Sequence, residues 1–244
     1  MTLPNPDHPA PFSAVILEVL QTIVDRERRR LGRDPHVCDP FAGIGRVHQL
    51  RRCVTVGVEI EPEWVACHHQ TVQGDATALP PEWADRFDVV ATSPVYPNRM
   101  TDHHDARDPH KTCDGQGCPS CKQTGRSPRK GYKFSLGRDP SPGSAAVMSW
   151  GPEYRNLHRA AAAEMLRVLT PGGLAAIDMS DSFRTRAGRG QERIPAVEWW
   201  RQTLEDVGFR AVAVSDPIAT PRMRRGANYE ARVEGEQVIT GRKR

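Results

Sequence analysis

Asp39-Pro40-Phe41-Ala42-Gly43-Ile44-Gly45 follows the apolar run His36-Val37-Cys38 and precedes a stretch with helical character. That order reads as a first parallel strand, a tight turn at its carboxyl end and a helix leaving the turn. Glycines at 43 and 45 would let the backbone approach a nucleotide-like group closely. A plain strand-to-helix turn would use the same residues, so the case depends on what lies downstream. An acidic residue about 20 positions on, at the end of a second strand, is the expected partner of ribose hydroxyls. Glu59 stands there, in Val56-Gly57-Val58-Glu59-Ile60, and Asp75-Ala76 after Gly74 is placed to reach an adenine edge. The third glycine of a dinucleotide fingerprint would fall at His48, which argues against NAD.

Strand and helix patterns alternate outward from this turn. Val15, Ile16, Val19, Leu20 and Ile23 give Phe12 to Arg30 the spacing of an amphipathic helix ahead of the sheet. Strands are expected near His36–Cys38, Val54–Val58, Val72–Gly74, Phe87–Thr92, Leu174–Met179, Arg210–Ser215 and Gln237–Arg242. Helices are expected near Arg46–Arg52, Pro62–His69, Glu153–Leu169 and Pro195–Asp206. Such alternation calls for an α/β fold with a mostly parallel sheet, helices on both faces and ligands beyond the carboxyl ends of the strands. Pro171-Gly172-Gly173 reads as a helix stop and a turn into the next strand.

With 244 residues the chain is expected to form a single domain, 1–244. The rhythm breaks over 97–150, which is dense in Gly, Pro, Ser and basic residues and is read as an insertion. The amino terminus lacks a signal-peptide pattern, and no run approaches the roughly 20 apolar residues of a membrane span. A cytoplasmic, soluble protein is therefore expected. The formal net charge of +4 says little, but its distribution says more. From Lys122 to Arg138 there are six basic side chains and no acid, with Tyr132 and Phe134 among them. Arg129, Lys130 and Lys133 are the best candidates there for nucleic-acid phosphates. The arginines of 26–33 suit a solvated helix face equally well.

The strand Phe87-Asp88-Val89-Val90-Ala91 runs into Thr92-Ser93-Pro94-Val95-Tyr96. With the glycine turn upstream, this stretch resembles the class I S-adenosylmethionine-dependent methyltransferases. Among them it is similar to the amino-methylating nucleic-acid enzymes, whose signature is Asp/Asn/Ser-Pro-Pro-Tyr/Phe/Trp. The resemblance implies a Rossmann-like, mostly parallel seven-stranded sheet and S-adenosylmethionine held by Phe12, Asp39, Phe41, Ala42, Gly43, Gly45, Glu59, Ile60, Asp75 and Ala76. His8-Pro9-Ala10-Pro11-Phe12 is similar to the family's segment that helps cover the methionine part. The resemblance further implies that Ser93 and the Pro94 carbonyl accept the two protons of an exocyclic amino group while Tyr96 stacks on the base. An extruded or single-stranded base would be needed. Serine in first place favours N4 of cytosine, with N6 of adenine next. Val95 departs from the pattern, which has a second proline there, and a following proline would restrict the Pro94 backbone. No Pro-Cys step occurs, so C5 methylation of cytosine is set aside.

Downstream, Asn98-Arg99-Met100 and His103-His104 are similar to a stretch in phage and actinobacterial orphan methylase-like proteins, and Arg99 would suit a phosphate beside the base. His103 and His104 could assist proton transfer or brace the loop. Asp181 could meet the base or cap a strand end. His110, Cys113, Cys118 and Cys121 have the spacing of a structural zinc knuckle, with reduced thiols in a loop as the alternative. Cys38, Cys53 and Cys67 are expected to be small core residues. The leading expectation is a DNA amino methyltransferase. RNA as substrate, or a non-catalytic nucleic-acid-binding module on the same fold, are the alternatives.

Overall fold

The computed structural model describes residues 12–96, 132–186, 190–220 and 235–244. Its main sheet contains β1 (His36–Asp39), β2 (Val54–Glu59), β3 (Thr71–Gln73), β4 (Phe87–Thr92), β5 (Leu169–Met179), β8 (Arg210–Val214) and β9 (Gln237–Arg242). The order across it is β3-β2-β1-β4-β5-β9-β8, and only β9 runs antiparallel to its neighbours. The expected α/β architecture is therefore present. From β1 the chain steps outward one way to β3 and then crosses back to β4. The switch point lies between β1 and β4, and it opens a crevice at their carboxyl ends.

Helix α1 (Ala14–Leu31) covers one face. Ser13 begins it by accepting the Ile16 amide proton on its side chain, and Gly32, left-handed at φ 68°, ends it by donating to the Arg28 carbonyl. Ile16, Leu20, Val24 and Glu27 are its buried stripe. Each aliphatic member contributes about 2 kcal/mol by leaving water. Glu27 is buried but paired with Arg30 and Arg242, which ties α1 to β9. The 26–33 arginines are thus partly occupied, with Arg28 on Asp34 and Arg33 on Asp88. The opposite face is covered by α4 (Pro152–Val168) and α5 (Ala196–Val207), whose Ala161, Ala162, Met165, Trp200 and Leu204 pack on Val90, Ala175 and Ile177.

Several local expectations need correction. The helix expected at Arg46–Arg52 is a single 3-10 turn, Arg46–Gln49, because both His48 ring nitrogens are held by the Thr55 and Thr71 hydroxyls at 2.8 and 2.9 Å. Helix α2 stops at Pro62–Val65, where the expectation ran to His69; His68 and His69 instead continue a ring stack that starts at His48. Strand β5 begins at Leu169, directly after α4, and Pro171-Gly172-Gly173 is a bulge within it. The register jumps there from Phe87 opposite Leu169 to Val89 opposite Leu174. Gly172 sits at φ 76°, and a Cβ on Gly173 would lie 2.8 Å from the Thr170 carbonyl oxygen. A hairpin, β6 (Ser182–Arg186) with β7 (Gly190–Ile194), was not foreseen. No helix among the described residues is long and apolar enough to cross a membrane.

The carboxyl-terminal part of the 97–150 insertion is built into the fold. Helix α3 (Tyr132–Leu136) sets Tyr132 edge-on to Trp64 with ring centroids 4.9 Å apart. Arg138 donates to the buried Glu61 at 2.8 Å and to Glu63 at 2.6 Å. Ser141 gives Glu61 two further bonds, through its amide at 2.9 Å and its hydroxyl at 2.8 Å. Arg138 belongs to the basic strip by sequence, but here its charge neutralises an interior carboxylate. Arg138→Ala should cost about 2 kcal/mol, below the usual penalty for stripping a fully buried pair because Arg138 is partly solvated. A thermal melt should register a fall on the order of 5 °C. Glu63→Gln, which removes a half-exposed partner, should change it by only about 1 °C.

Candidate active site

The loops after β1, β2, β3 and β4 enclose one cleft holding about 890 Å³ of empty space, its open mouth included. Phe12, Phe41, Ala42, Gly43, Glu59, Ile60, Asp75 and Ala76 line one part, and Ser93, Pro94, Val95 and Tyr96 line another. Two segments far apart in sequence, each singled out for its own chemistry, thus face the same space.

Asp39 and Gly45 are not in the lining, and their positions explain why. Asp39 is wholly buried beneath the turn, where Oδ1 accepts from the Phe41 amide at 3.0 Å and the Thr92 hydroxyl at 2.6 Å. It joins the turn after β1 to the last residue of β4, so it is a brace. Gly45 adopts φ 77°, and a Cβ there would come within 2.8 Å of His48 and 2.9 Å of His68. The expected third-glycine position is thus filled by a ring that packs on Gly45 and Gly57 and locks the turn against β2 and β3. Burial lowers His48 to about 4, so the ring is neutral at physiological pH.

Glu59 reaches back from the end of β2 and accepts the Gly43 amide proton at 2.8 Å and the Glu61 amide proton at 2.9 Å. These bonds hold the turn in shape, and Glu59 is also part of the cleft lining. Asp75 Oδ1 accepts from the amide and hydroxyl of Thr77, both at 2.8 Å, and fixes the loop after β3. Arg46 donates to the Phe12 carbonyl at 3.1 Å and carries Phe12 to the rim.

On the other wall the Val95 carbonyl accepts the Tyr154 hydroxyl at 2.6 Å. The phenol of Tyr96, itself buried, points at Glu236 across 3.5 Å. Asp181 is occupied elsewhere: one oxygen accepts the Val197 amide proton at 2.9 Å at the start of α5, and the other accepts from Arg193 at 2.7 Å. Of the two expectations for it, neither describes what it does: it holds the first turn of a helix, not a strand end. Trp64, Tyr132, Ser144 and Leu157 also line the cleft and went unrecognised, because residues separated by such long stretches share no local pattern. Arg99, His103, His104, Arg129, Lys130, His110, Cys113, Cys118 and Cys121 lie outside the described residues, while Lys133 falls on α3. Among the described residues no set of three or more His, Cys, Asp or Glu is arranged for a metal. Cys38 is buried core, and Cys53 and Cys67 are half-buried.

No family model matches the sequence, and no curated protein matches it. Solved structures do. The CurJ carbon methyltransferase superposes at a TM-score of 0.50 and 11% identity over 95% of this chain, which spans 56% of that protein. A Thermotoga maritima methyltransferase described as a possible histamine N-methyltransferase gives 0.47 and 15% over 94% of this chain and 92% of its own. The 1,6-didemethyltoxoflavin-N1-methyltransferase of Burkholderia thailandensis, solved with bound 1,6-didemethyltoxoflavin and S-adenosylhomocysteine, gives 0.45 and 15% over 95% and 79%. The fold is the Rossmann-like methyltransferase fold, with its mixed seven-stranded sheet flanked by helices.

Burial, the largest influence on both, raises Asp39 from 3.8 to about 7 and Glu59 from 4.5 to about 7. Between roughly pH 4 and 7 the folded chain therefore holds protons that the unfolded chain has released, and stability falls as pH rises through that window. Melting temperature should be higher at pH 5.5 than at pH 8.0. The difference should shrink in Glu59→Gln, and an equal slope in wild type and variant would contradict this assignment.

Proposed function

We propose that this protein transfers a methyl group from S-adenosylmethionine to an exocyclic amino group of a DNA base, N4 of cytosine first and N6 of adenine next. The observation that carries it is the shared cleft: the glycine turn with Glu59 and Asp75 on one side, Ser93-Pro94-Val95-Tyr96 on the other. The lining suits an adenosine-bearing ligand. Phe12, Phe41, Ile60 and Ala76 offer apolar walls, while Glu59 and Asp75 supply acceptors for ribose hydroxyls and an adenine amino edge. When bound, S-adenosylmethionine supplies an electrophilic sulfonium methyl.

The residues of the chain then have three tasks. Glu59 and the turn it shapes orient the nucleoside half. Ser93 and the Pro94 carbonyl accept the two amino protons, which draws the nitrogen lone pair out of ring conjugation and points it at the methyl. Tyr96 gives the base a face to stack on. Transfer would break the sulfur–methyl bond, leaving S-adenosylhomocysteine, and the methylated nitrogen would then lose one proton to water, because the Ser93 hydroxyl and the Pro94 carbonyl can hold a proton in a hydrogen bond but are not basic enough to keep it; no covalent enzyme intermediate is needed.

Purified protein incubated with labelled S-adenosylmethionine and duplex DNA, single-stranded DNA or RNA should yield N4-methylcytosine or N6-methyladenine on DNA by nucleoside mass spectrometry. Ser93→Ala should lower kcat about 100-fold, as loss of one positioned hydrogen-bonding group does elsewhere, and Tyr96→Ala should abolish turnover while S-adenosylhomocysteine still binds. Product on RNA alone would move the substrate class. Cofactor and DNA binding without transfer would leave a binding module.

A structural zinc at His110, Cys113, Cys118 and Cys121 belongs to the same reading on spacing alone. Elemental analysis should find close to one zinc per chain, lost in Cys118→Ser, and metal-free protein of full activity would remove it.

A further inference from the structure

Val95 follows Pro94, so the Pro94 backbone lacks the restriction that a second proline would impose. The structure supplies a different restraint. The Tyr154 hydroxyl donates to the Val95 carbonyl at 2.6 Å, and Tyr154 is fully buried in the first turn of α4. Burial raises its phenol well above the ordinary value, so the group remains a donor across the working pH range. We propose that Tyr154 is a positioning residue for the transfer reaction: its hydrogen bond fixes the turn that presents Ser93 and the Pro94 carbonyl to the amino group.

The restraint is itself anchored. His158 Nδ1 donates to the Tyr154 carbonyl at 2.8 Å, and the two rings lie 4.0 Å apart. Burial lowers His158 to about 4, so it is a neutral ring with its proton on Nδ1. Its other side stacks on Phe41 of the glycine turn at 5.5 Å, and its edge meets Trp200 at 5.5 Å. Phe41 is in turn held by Asp39, which also holds Thr92, the residue before Ser93. The two loops are joined twice: by Asp39 at the base, and through Phe41, His158 and Tyr154 at the top. The pair of links fixes the distance between the methyl donor's seat and the amino group's acceptors, to which in-line transfer is most sensitive.

This inference rests on the methyl-transfer reading, but its test does not need turnover alone. Tyr154→Phe removes one oxygen and keeps the ring. It should lower kcat at least 10-fold, leave S-adenosylhomocysteine affinity within twofold, and speed hydrogen exchange at the Tyr96 amide at least 10-fold. Adding Val95→Pro should recover most of both losses, because a ring closure would replace the missing bond, a rescue that a mere packing role would not give. Unchanged Tyr96 exchange in Tyr154→Phe would overturn the proposal whether or not the wild type transfers methyl. Faster exchange with unchanged kcat would also overturn it, since the turn would then be fixed without benefit to the reaction. A wild type without transfer, but with the exchange effect and its rescue, would sink the methyl-transfer reading while leaving the loop restraint standing.

Discussion

Asp39 carries the structural burden of this molecule. Its carboxyl lies in the interior where β1 ends, and one oxygen accepts from both the Phe41 amide and the Thr92 hydroxyl. An unpaired polar group at such depth would be costly, so the two donors and the carboxyl hold one another in place. Because one donor lies in the turn after β1 and the other is the last residue of β4, the two strands that flank the switch point are joined and the crevice between them acquires a fixed floor. On that floor stand the glycine turn above β1, the proline turn above β4 and the cleft they share.

Acid groups recur around the crevice for a common reason. Asp39, Glu59 and Glu61 are all buried at the carboxyl ends of β1 and β2, where loop amides converge. A carboxyl there satisfies backbone donors that no sheet or helix partner reaches. Among the described residues Asp39 and Glu59 have backbone donors but no cationic partner, and burial lifts both well above the ordinary range, with repulsion from Glu59 adding to it at Asp39. Glu61 is treated differently, since Arg138 and Ser141 bring it a cation and two donors from 77 to 80 residues away. In this way the segment after α3 becomes a wall of the cleft and cannot be a free basic strand.

The departures from expectation share one physical feature, which is competition, among side chains or among backbone groups, for the same few donors and acceptors. His48 could have continued a helix, but two threonine hydroxyls on β2 and β3 took its ring. Asp181 could have faced a ligand, but the Val197 amide in the first turn of α5 and the guanidinium of Arg193 took its oxygens. Pro171-Gly172-Gly173 could have ended a helix, but β4 pairs with Leu169 on one side of it and Leu174 on the other, so the three residues bulge.

The sequence by itself determined where the seven strands of the main sheet run, their alternation with the helices α1, α4 and α5, and the two turns whose residues line the cleft; it did not reveal the β6–β7 hairpin. Those features depend on local causes: apolar runs of strand length, helical spacing in α1 and α4, and glycine or proline where the backbone must turn. Only the tertiary structure decided what Asp39, Arg138, Asp181 and Tyr154 do. Each is committed by a partner that sequence distance hides, 53 residues away for Asp39 and Thr92 and 59 for Tyr154 and Val95. A polar side chain in a sequence carries only the capacity to bond, and burial selects which of its possible partners is within reach once water has been excluded.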